Sequence, residues 1–371
     1  MKKFLSLAAI ALCISFTSCS DDDEPYVPKP VDVSTGVFIV NSGNQGSQIA
    51  GSITSIDYTT LAATQKVFQA ANGRNLGTTP NDALVYGDKM YIVVTGENTI
   101  EVVNKNTMLS LATIKTADTM GADKGESPRR LAAGNGKIYV STFMGYVAAI
   151  DTASFNIDKV YQVGSYPEGL AVDGNMLYVA NSSYGNGTNP SISYINLNDG
   201  TVTNFTDPLI TNPVGINVID GNLYVMDSGL YDASYNQYGA GVKKITADKK
   251  VTNLIDATMM ATDKKNIYVI NAPYSYTSPV DPTYSVYNIA TGELKTFIKD
   301  NFPFSPSAIG VDPVSGNVFI TSYSENPDTG YASYTIDGYV NMYKQDGTFV
   351  REFTTGVGPT AIAFNTGVVY E

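Results

Sequence analysis

Histidine is absent from this 371-residue sequence, and cysteine occurs only at Cys13 and Cys19. Without histidine the chain cannot build a Ser-His-Asp triad, a histidine general base, or a histidine-ligated zinc, haem or copper site. Basic residues are also scarce, because 23 lysines and arginines stand against 35 aspartates and glutamates, a net charge of −12. An acidic chain without a basic cluster is a poor candidate for nucleic-acid binding.

Long apolar runs are missing except at the amino terminus. The run from residue 4 to residue 16 follows two lysines and is too short to span a membrane, so residues 1–18 are predicted to be a secretory signal peptide. The small residues before Cys19 resemble a lipobox, which implies cleavage before Cys19 and acylation of its thiol. The alternative is an ordinary signal peptide followed by a free cysteine.

An acidic segment with three prolines follows Cys19. Residues 20–24, SDDDE, resemble the surface-export signal of Bacteroidetes lipoproteins, which implies a lipid-anchored protein exposed on the outer membrane. Pro25, Pro28 and Pro30 predict an extended tether, so residues 19–35 are interpreted as the acylated cysteine and its tether. Loss of the signal peptide would remove Lys2 and Lys3, change the net charge from −12 to −14, and leave no second thiol for a disulfide.

One repeated unit fills the rest of the chain, where no helical period lasts more than about a turn. Each unit has a short strand, a tight turn and a second strand with an aromatic residue, as in RRLAAGNGKIYVSTF from Arg129 and EGLAVDGNMLYVANS from Glu168. The aromatic positions are Phe38, Tyr91, Tyr139, Tyr178, Tyr224, Tyr268 and Phe319. Their mean spacing of about 47 residues suits four strands with their turns, the size of a propeller blade.

Six complete units and two half units predict an all-β domain over residues 36–371. We expect a seven-bladed β-propeller of four-stranded antiparallel blades. The strand near residues 360–364 is expected to complete the amino-terminal blade and close the ring, which removes free sheet edges. Residues 367–370 look like a second strand whose place residues 37–40 already fill, so they are interpreted as a frayed tail. The Tyr-Val repeats, with a proline before the first strand, resemble bacterial YVTN-type propellers, a resemblance that specifies fold far better than function.

The connections between second and third strands differ in length. Those at residues 95–98 and 141–145 are tight, whereas the last four are long: 181–191, 227–241, 271–284 and 322–337. These four loops hold ten of the 26 tyrosines: Tyr184, Tyr231, Tyr235, Tyr238, Tyr274, Tyr276, Tyr284, Tyr323, Tyr331 and Tyr334. Because neighbouring blades present the same connection on one face, we expect a tyrosine rim suited to binding. The alternative is that the rings pack down and rigidify the loops.

Polar residues are expected beneath this rim. The second strands end at Asn41, Thr95, Ser141, Asn181, Asp227, Asn271 and Ser322, and the first strands begin with Asn81, Asp82, Arg129, Arg130, Tyr166 and Glu168. A mostly uncharged ring suits a neutral ligand with amides or hydroxyls, although asparagine and serine also terminate strands and cap turns. The candidate ligand-binding residues are Asn41, Asn81, Arg129, Arg130, Ser141, Tyr166, Glu168, Asn181, Tyr184, Asp227, Tyr231, Tyr235, Tyr274, Tyr276 and Tyr323.

Carboxylates are the remaining candidates for acid–base chemistry. Those that could reach the face are Asp82, Glu97, Glu126, Glu168 and Asp227, on different blades and without a spacing that indicates a catalytic pair. We therefore predict a protein that is not an enzyme, with no catalytic residue and no cofactor. Residues 326–328 offer one carboxylate, which is weak support for calcium, and no metal site is predicted.

The export signal at residues 19–24, the Tyr-Val repeats and the aromatic loops together resemble the cobalamin-capturing surface lipoproteins of Bacteroidetes, the BtuG type. The resemblance implies binding of vitamin B12 or another corrinoid without histidine coordination of cobalt. It also implies delivery to a TonB-dependent outer-membrane transporter of the BtuB type. Tyrosines would pack on the macrocycle, and asparagine and serine would pair with its amides. The alternatives are a glycan-binding surface lipoprotein and a ligand-free scaffold packed against a transporter.

Overall fold

The structure is a computed structural model that describes residues 28–185, 188–276, 278 and 280–370. The predicted signal peptide and Cys19 lie outside the described residues. Over those ranges the chain forms seven four-stranded antiparallel sheets and one two-stranded ladder. The predicted all-β class and four-stranded antiparallel unit are therefore confirmed. No helix in the described ranges combines the length and the apolar character needed to cross a membrane.

The strands of the first four sheets follow one another along the chain. Sheet 1 takes its first strands from β1 (Pro30–Asn41), β2 (Ser52–Asp57) and β3 (Ala62–Thr64). Sheet 2 contains β4 (Pro80–Tyr86), β5 (Lys89–Val94), β6 (Thr99–Asn104) and β7 (Ser110–Lys115). Sheet 3 contains β8 (Pro128–Gly134), β9 (Lys137–Thr142), β10 (Tyr146–Asp151) and β11 (Ile157–Gln162). Sheet 4 contains β12 (Pro167–Asp173), β13 (Met176–Asn181), β14 (Ser191–Asn196) and β15 (Val202–Phe205).

The remaining sheets continue the pattern, with one insertion. Sheet 5 contains β16 (Pro213–Ile219) and β17 (Asn222–Asp227), then the two-stranded ladder of β18 (Leu230–Tyr231) and β19 (Gln237–Tyr238), then β20 (Gly241–Ile245) and β21 (Val251–Asp256). Sheet 6 contains β22 (Met259–Thr262), β23 (Asn266–Asn271), β24 (Thr283–Asn288) and β25 (Leu294–Thr296). Sheet 7 contains β26 (Ser305–Val311), β27 (Val318–Tyr323), β28 (Asp337–Tyr343) and β29 (Phe349–Val357). The ladder of β18 and β19 lies in a segment that the sequence predicted to be irregular.

The described residues contain three short helices that the sequence did not predict. They are α1 (Val67–Asn72), α2 (Thr116–Met120) and α3 (Ala122–Gly125). Helix α1 buries Phe68 in the core between sheets 1 and 2. Helices of four to six residues are too short to show a 3.6-residue period, so hydrophobic patterning cannot reveal them.

The last strand, β30 (Pro359–Tyr370), pairs antiparallel with β1 and completes sheet 1 as its innermost strand. The pairing runs from Asn41 opposite Pro359 to Pro30 opposite Tyr370, with register shifts at two places. The prediction of a frayed tail at residues 367–370 is therefore wrong, because the two ends of the domain satisfy each other's backbone groups. Strand β1 also begins at Pro30, inside the segment that the sequence assigned to the tether.

The second strand of each sheet is buried between two neighbouring sheets. In β5, Met90 and Ile92 pack towards sheet 1, whereas Tyr91 packs towards sheet 3, because successive side chains of a strand point to opposite faces. Similar clusters join the other consecutive sheets. Phe319 of sheet 7 packs with Val37 of sheet 1. The repeated aromatic position is thus a core position.

Counted from the axis outwards, the first strand of sheet 1 is β30 and its second strand is β1. In this order, the first strand of each sheet lies near a common axis. Strand β4 contacts β8 and β30, β8 contacts β12, β12 contacts β16, β22 contacts β26, and β26 contacts β30. A cavity of about 330 Å³ is lined by the first strands of all the sheets, through residues that include Asp82, Arg130, Gly169, Asn217, Met260, Ala308 and Ala361. The arrangement is propeller-like.

Two ends of this arrangement are distinguished below. The loop face is the end where the second strands finish, at Asn41, Val94, Thr142, Asn181, Asp227, Asn271 and Tyr323. The first strands begin at this end, as the pairings of Pro80 with Val94 and of Pro128 with Thr142 illustrate. The turn face is the opposite end, which carries the tight turns from first to second strands, and also Pro30 and Tyr370.

Candidate ligand-binding face

Four of the predicted ligand-binding residues are buried and form hydrogen bonds within the protein. Asn41, Ser141, Asn181 and Asp227 have no solvent-exposed surface. The Asn41 amide donates to Ser52 Oγ at 3.2 Å and Thr54 Oγ1 at 3.0 Å, and its Oδ1 accepts from Gly356 N at 3.1 Å. This side chain ties sheet 1 to β29 of sheet 7. Its assignment as a ligand contact is corrected, because a ligand on the loop face cannot reach it.

The other three buried residues act in the same way. The Asp227 carboxylate accepts from Thr211 N at 2.7 Å and Gly229 N at 2.8 Å, and from the Thr211 hydroxyl at 2.8 Å. The Ser141 hydroxyl donates to the backbone oxygen of Glu168 at 2.7 Å. The Asn181 amide donates to the hydroxyls of Ser191 and Ser193 at 3.0 and 2.8 Å. Strand termination and turn capping, the alternative reading of these residues, is therefore the one that the structure supports.

A charged network occupies the starts of β4, β8 and β12. Arg129 Nη2 donates to Glu168 Oε1 at 2.9 Å, and Arg129 Nε lies 3.2 Å from both carboxylate oxygens. The Asn81 amide donates to the backbone oxygen of Arg129 at 2.7 Å and accepts from its guanidinium at 3.1 Å. The guanidinium also lies over the ring of Phe143, 4.3 Å from its centroid. Three predicted site residues, Asn81, Arg129 and Glu168, are thus brought together across three sheets.

Arg130 and Asp82 extend this network towards the axial cavity. Arg130 Nη1 donates to the backbone oxygen of Asn81 at 3.0 Å, but its distances to Glu168 and Asp82 carboxylate oxygens are 3.7 and 3.9 Å. Asp82 Oδ2 accepts from Leu131 N at 2.9 Å. Burial raises the pKa of the Asp82 carboxyl above its usual 3.8, and Arg130 opposes this shift. The polar ring beneath the rim is therefore more charged at sheets 2 to 4 than the sequence indicated.

The first aromatic cluster consists of Phe143, Tyr166 and Tyr184. The three ring centroids lie 5.4 to 5.9 Å apart, and the Tyr184 side chain is 69% exposed. Tyr166 and Tyr184 have φ angles of 51° and 53°, a left-handed conformation that costs a side-chain-bearing residue about 1–2 kcal/mol. The Ser182 hydroxyl donates to Tyr166 O at 2.9 Å and accepts from Tyr184 N at 3.1 Å. The residues that precede β4 and β8 adopt the same conformation as Tyr166, so this conformation belongs to the repeat.

The second aromatic cluster joins the long loops of sheets 5 and 6. The rings of Tyr231 and Tyr274 lie 6.3 Å apart. Gln237 N donates to Tyr274 O at 2.8 Å, and Tyr274 N donates to Gln237 Oε1 at 3.0 Å, so the two loops hold each other. The exposed tyrosines of these loops are Tyr231, Tyr235, Tyr238, Tyr274 and Tyr276. The structure therefore brings Tyr231 and Tyr274, both predicted site residues, into contact.

The third aromatic cluster belongs to the long loop of sheet 7. The rings of Tyr323 and Tyr334 lie 4.9 Å apart, and Asn44 Nδ2 of sheet 1 donates to Tyr334 O at 2.9 Å. Burial raises the pKa of the Tyr323 hydroxyl. Tyr331 is exposed on the same loop. The prediction that Tyr284 belongs to the rim is wrong. Tyr284 lies in β24, is buried, and its hydroxyl donates a hydrogen bond to Pro303 O at 3.2 Å.

Phe143 and Asp82 were not among the predicted site residues. Phe143 joins the first cluster from a tight connection, and the neighbouring Met144 is exposed. Counting tyrosines alone misses Phe143, but the pair of large apolar residues in the turn sequence STFMG was a readable signal. Asp82 was expected in the polar ring and considered as an acid–base candidate, but it was not chosen as a ligand contact.

Several loop-face carboxylates are engaged in structural contacts. Glu97 Oε1 accepts from Thr78 N at 3.1 Å, Glu168 binds Arg129, and Asp227 caps the chain before β16. Within the described ranges, no group of three or more metal-ligating side chains is close enough to hold a metal ion. The prediction of a non-enzymatic protein stays a prediction.

Comparison with solved structures shows similarity in fold at low sequence identity. A protein assigned as a 6-phosphogluconolactonase from Bacteroides uniformis is 12% identical with a TM-score of 0.60, over 90% of this chain and 100% of that chain. Hydrazine synthase from Kuenenia stuttgartiensis is 14% identical with a TM-score of 0.59, over 79% and 95%. The WD40 repeats of RRP9 are 8% identical with a TM-score of 0.54, over 76% and 83%. At these low sequence identities, the structural similarity shows a propeller-like fold and does not indicate a function.

The sequence comparisons place the chain in a family without assigning a function. No curated protein matches the chain. A family match extends over residues 35–353, which includes all three aromatic clusters and the charged network. The chain therefore belongs to the DUF5074 family, a domain of unknown function.

Proposed function

We propose that this protein is a lipid-anchored protein of the outer-membrane surface that captures a corrinoid on its loop face. It then delivers the ligand to a TonB-dependent transporter of the BtuB type. The observation that carries the proposal is the set of exposed tyrosine rings in three clusters on the loop face. Exposed aromatic patches on a soluble domain usually mark a binding surface.

The proposal includes a closed seven-bladed β-propeller. Three observations support closure: a cavity lined by the first strands of all the sheets, hydrophobic clusters between consecutive sheets, and the pairing of β30 with β1. Closure matters for function because it places the long loop of sheet 7 beside the connection between β1 and β2. The hydrogen bond from Asn44 to Tyr334 O links the sheet 7 loop to sheet 1.

The chemistry of the face suits a broad, flat ligand with polar side chains. Tyrosine presents a rigid apolar ring and a hydroxyl that both donates and accepts, so several rings can pack on a macrocycle and still pair with its amides. The buried Asn41 and Asn181 cannot provide those pairs, which leaves the tyrosine hydroxyls, loop backbone groups and Arg130 at the mouth of the axial cavity. Arg130 retains donor capacity, because its ion-pair distances exceed hydrogen-bond length.

Calorimetry with cyanocobalamin tests the corrinoid assignment. The purified protein should bind saturably near one equivalent and retain the red ligand on gel filtration. If neither binding heat nor co-eluting colour is observed, the assignment of a corrinoid as the ligand is refuted. A glycan array then tests the glycan alternative, in which the exposed rings stack on sugar faces.

Anchoring and delivery need separate measurements. Cys19→Ala should abolish labelling by radioactive palmitate and release the protein from the outer membrane. Protease treatment of intact cells should digest the acylated protein if it is surface-exposed. Affinity purification from solubilised outer membranes should recover a TonB-dependent transporter; recovery of a transporter by a protein that binds neither corrinoid nor glycan would favour the ligand-free scaffold.

A further inference from the structure

A two-stranded ribbon extends from the turn face. Residues 30–34 of β1 pair with residues 366–370 of β30, whereas β2 joins β1 only from Gly36 onward. No third strand pairs with the ribbon among the described residues. The ribbon therefore projects beyond the four-stranded part of sheet 1.

The tip of the ribbon is apolar and exposed. Val31, Val368, Val369 and Tyr370 are all exposed, and Tyr370 is 72% exposed. From residue 28 to 34 and from 366 to 370, the charged side chains are Lys29 and Asp32, and Glu371 follows Tyr370 in the sequence. An exposed apolar tip indicates a partner surface.

The base of the ribbon is fixed to its surroundings. Ser34 Oγ donates to Asp312 Oδ2 at 2.6 Å, and the Tyr58 hydroxyl donates to the same oxygen at 2.7 Å. Lys105 Nζ donates to Thr366 O, and burial lowers the pKa of the Lys105 ammonium group. The ribbon is thus held in one direction relative to the sheets, so its tip can contact a surface.

The chain reaches the ribbon from the predicted acylation site. Ten residues lie between Cys19 and Pro30, and the eleven Cα-to-Cα steps between them reach at most about 40 Å when fully extended. Strand β1 then runs 12 residues from the turn face to the loop face, again about 40 Å. With Cys19 held in the membrane, the tether joins the domain at its turn face, beside the ribbon.

We propose that the ribbon tip rests on the lipid surface and that the loop face points away from the membrane. This inference depends on the acyl anchor of the proposed function. Valine and tyrosine suit the interface between lipid chains and headgroups, and one such contact beside an acyl anchor adds membrane affinity. Delivery to a transporter then requires the domain to turn on its tether or the transporter to reach over it.

The sequence contains no tryptophan, so single substitutions provide a clean fluorescence test. Tyr370→Trp places the probe on the ribbon, and Tyr276→Trp places it on the loop face at a position of matched exposure, 72% against 75%. The acylated full-length variants are reconstituted in phosphatidylcholine vesicles with and without brominated chains. Brominated lipid should roughly halve the emission of Tyr370→Trp, with a blue shift, and leave Tyr276→Trp unchanged.

Each other outcome overturns the inference. Quenching of Tyr276→Trp in place of Tyr370→Trp would show that the loop face, and not the ribbon, contacts the lipid. Unquenched emission from both variants would show that the ribbon does not contact the lipid. A blue-shifted Tyr370→Trp that brominated lipid does not quench would mean that protein covers the tip. Val368→Trp repeats the ribbon measurement if Tyr370→Trp folds poorly.

The mass of the amino-terminal peptide and flotation with vesicles report the anchor independently. A protein that lacks acylation would therefore refute the anchor of the proposed function and would not be mistaken for a misplaced ribbon.

Discussion

At the scale of single residues, similar side chains have opposite roles according to their burial. The Asn41 amide donates its hydrogen bonds within sheet 1, whereas the Asn81 amide, at the start of β4, donates to Arg129 O in the neighbouring sheet. Tyr284 is a core residue, whereas Tyr276, in the same connection, is exposed. A side chain's type limits what it can bind, and its surroundings decide whether a ligand can reach it.

Two buried tyrosines allow a matched test of buried hydroxyls. Tyr91 is fully buried, its hydroxyl has no partner within the described part of the chain, and burial raises its pKa to about 12. Because an unsatisfied buried polar group costs about 1–3 kcal/mol, Tyr91→Phe should raise the free energy of unfolding by about 1 kcal/mol. Denaturant titration measures this change.

Tyr343→Phe is the control for that substitution. Its hydroxyl donates to Asn301 O at 2.6 Å and accepts from Asn341 Nδ2 at 3.1 Å, so its loss should lower the free energy of unfolding by about 1 kcal/mol. Equal effects of the two substitutions would contradict the assignment of hydrogen bonds in these cores.

Asp82 gives a prediction about pH. Burial raises its folded-state pKa above 3.8, so the folded state holds the proton more tightly and stability from this group is lost as pH rises above about 4. Asp82→Asn cannot ionise, so its melting temperature relative to the parent should increase with pH until Asp82 is fully ionised. Thermal melts from about pH 4 to about pH 8 measure the difference.

Asp88→Asn should show the opposite trend. The ammonium group of Lys89 lowers the pKa of the Asp88 carboxyl, so its small contribution is present at neutral pH and is lost on acidification. If both substitutions changed stability in the same direction with pH, the buried character of Asp82 would be refuted.

At the scale of elements, the long loops are supported by neighbouring loops. Gln237 and Tyr274 exchange two hydrogen bonds, and Asn44 supports Tyr334, so the exposed rings sit on segments with backbone partners. Ordered loops keep aromatic side chains in place and reduce the entropy lost on binding. This arrangement suits a preformed binding surface.

The loop of sheet 5 provides the element-scale prediction. Replacing Tyr231 and Tyr235 together with alanine should weaken ligand binding about 10- to 100-fold, because exposed aromatic anchors carry much of the energy of an interface. The melting temperature should change little, since both rings are exposed. Calorimetry and thermal melts are measured on the same preparations.

Tyr284→Ala is the matched control, because it removes a buried ring that the sequence places in the neighbouring loop. It should cost about 3–5 kcal/mol of stability. A double alanine variant that unfolds as readily as Tyr284→Ala would show that the loop rings are structural.

At the scale of the whole molecule, the two ends of the domain depend on each other. β30 contributes Ala361 and Ala363 to the core between sheets 1 and 2, and its pairing with β1 gives sheet 1 its fourth strand. A chain without this strand would expose the edge of β1 and one side of the axial cavity.

Two truncations test this dependence. Removal of residues 359–371 should abolish cooperative thermal unfolding, because it deletes a core strand. Removal of residues 366–371 deletes only the exposed half of the ribbon and should retain a cooperative transition. If the longer truncation unfolded like the parent, the closure proposed for the ring would be wrong.

The local sequence pattern carried much of the fold. Alternating apolar residues with glycine, asparagine and aspartate turns predicted the four-stranded antiparallel unit, because strand period and turn geometry depend on neighbouring residues. The repeat also located Tyr91 and its counterparts on the second strands, and the structure shows that this is a core position. It could not predict that the pairing of β1 with β30 continues to residues 30–33 and 367–370, because those residues lie outside the repeated unit and residues 30–33 were interpreted as a tether.

The composition of the loop face followed from the sequence alone: exposed-loop tyrosines in the last four units, no histidine, and asparagine, serine or aspartate at strand ends. Only the tertiary structure decided that Asn41, Ser141, Asn181 and Asp227 face inward, that Arg129 meets Glu168, and that the tyrosines divide into three clusters. These outcomes depend on burial and on partners from other sheets. Such contacts exist only after the sheets have packed around a common axis.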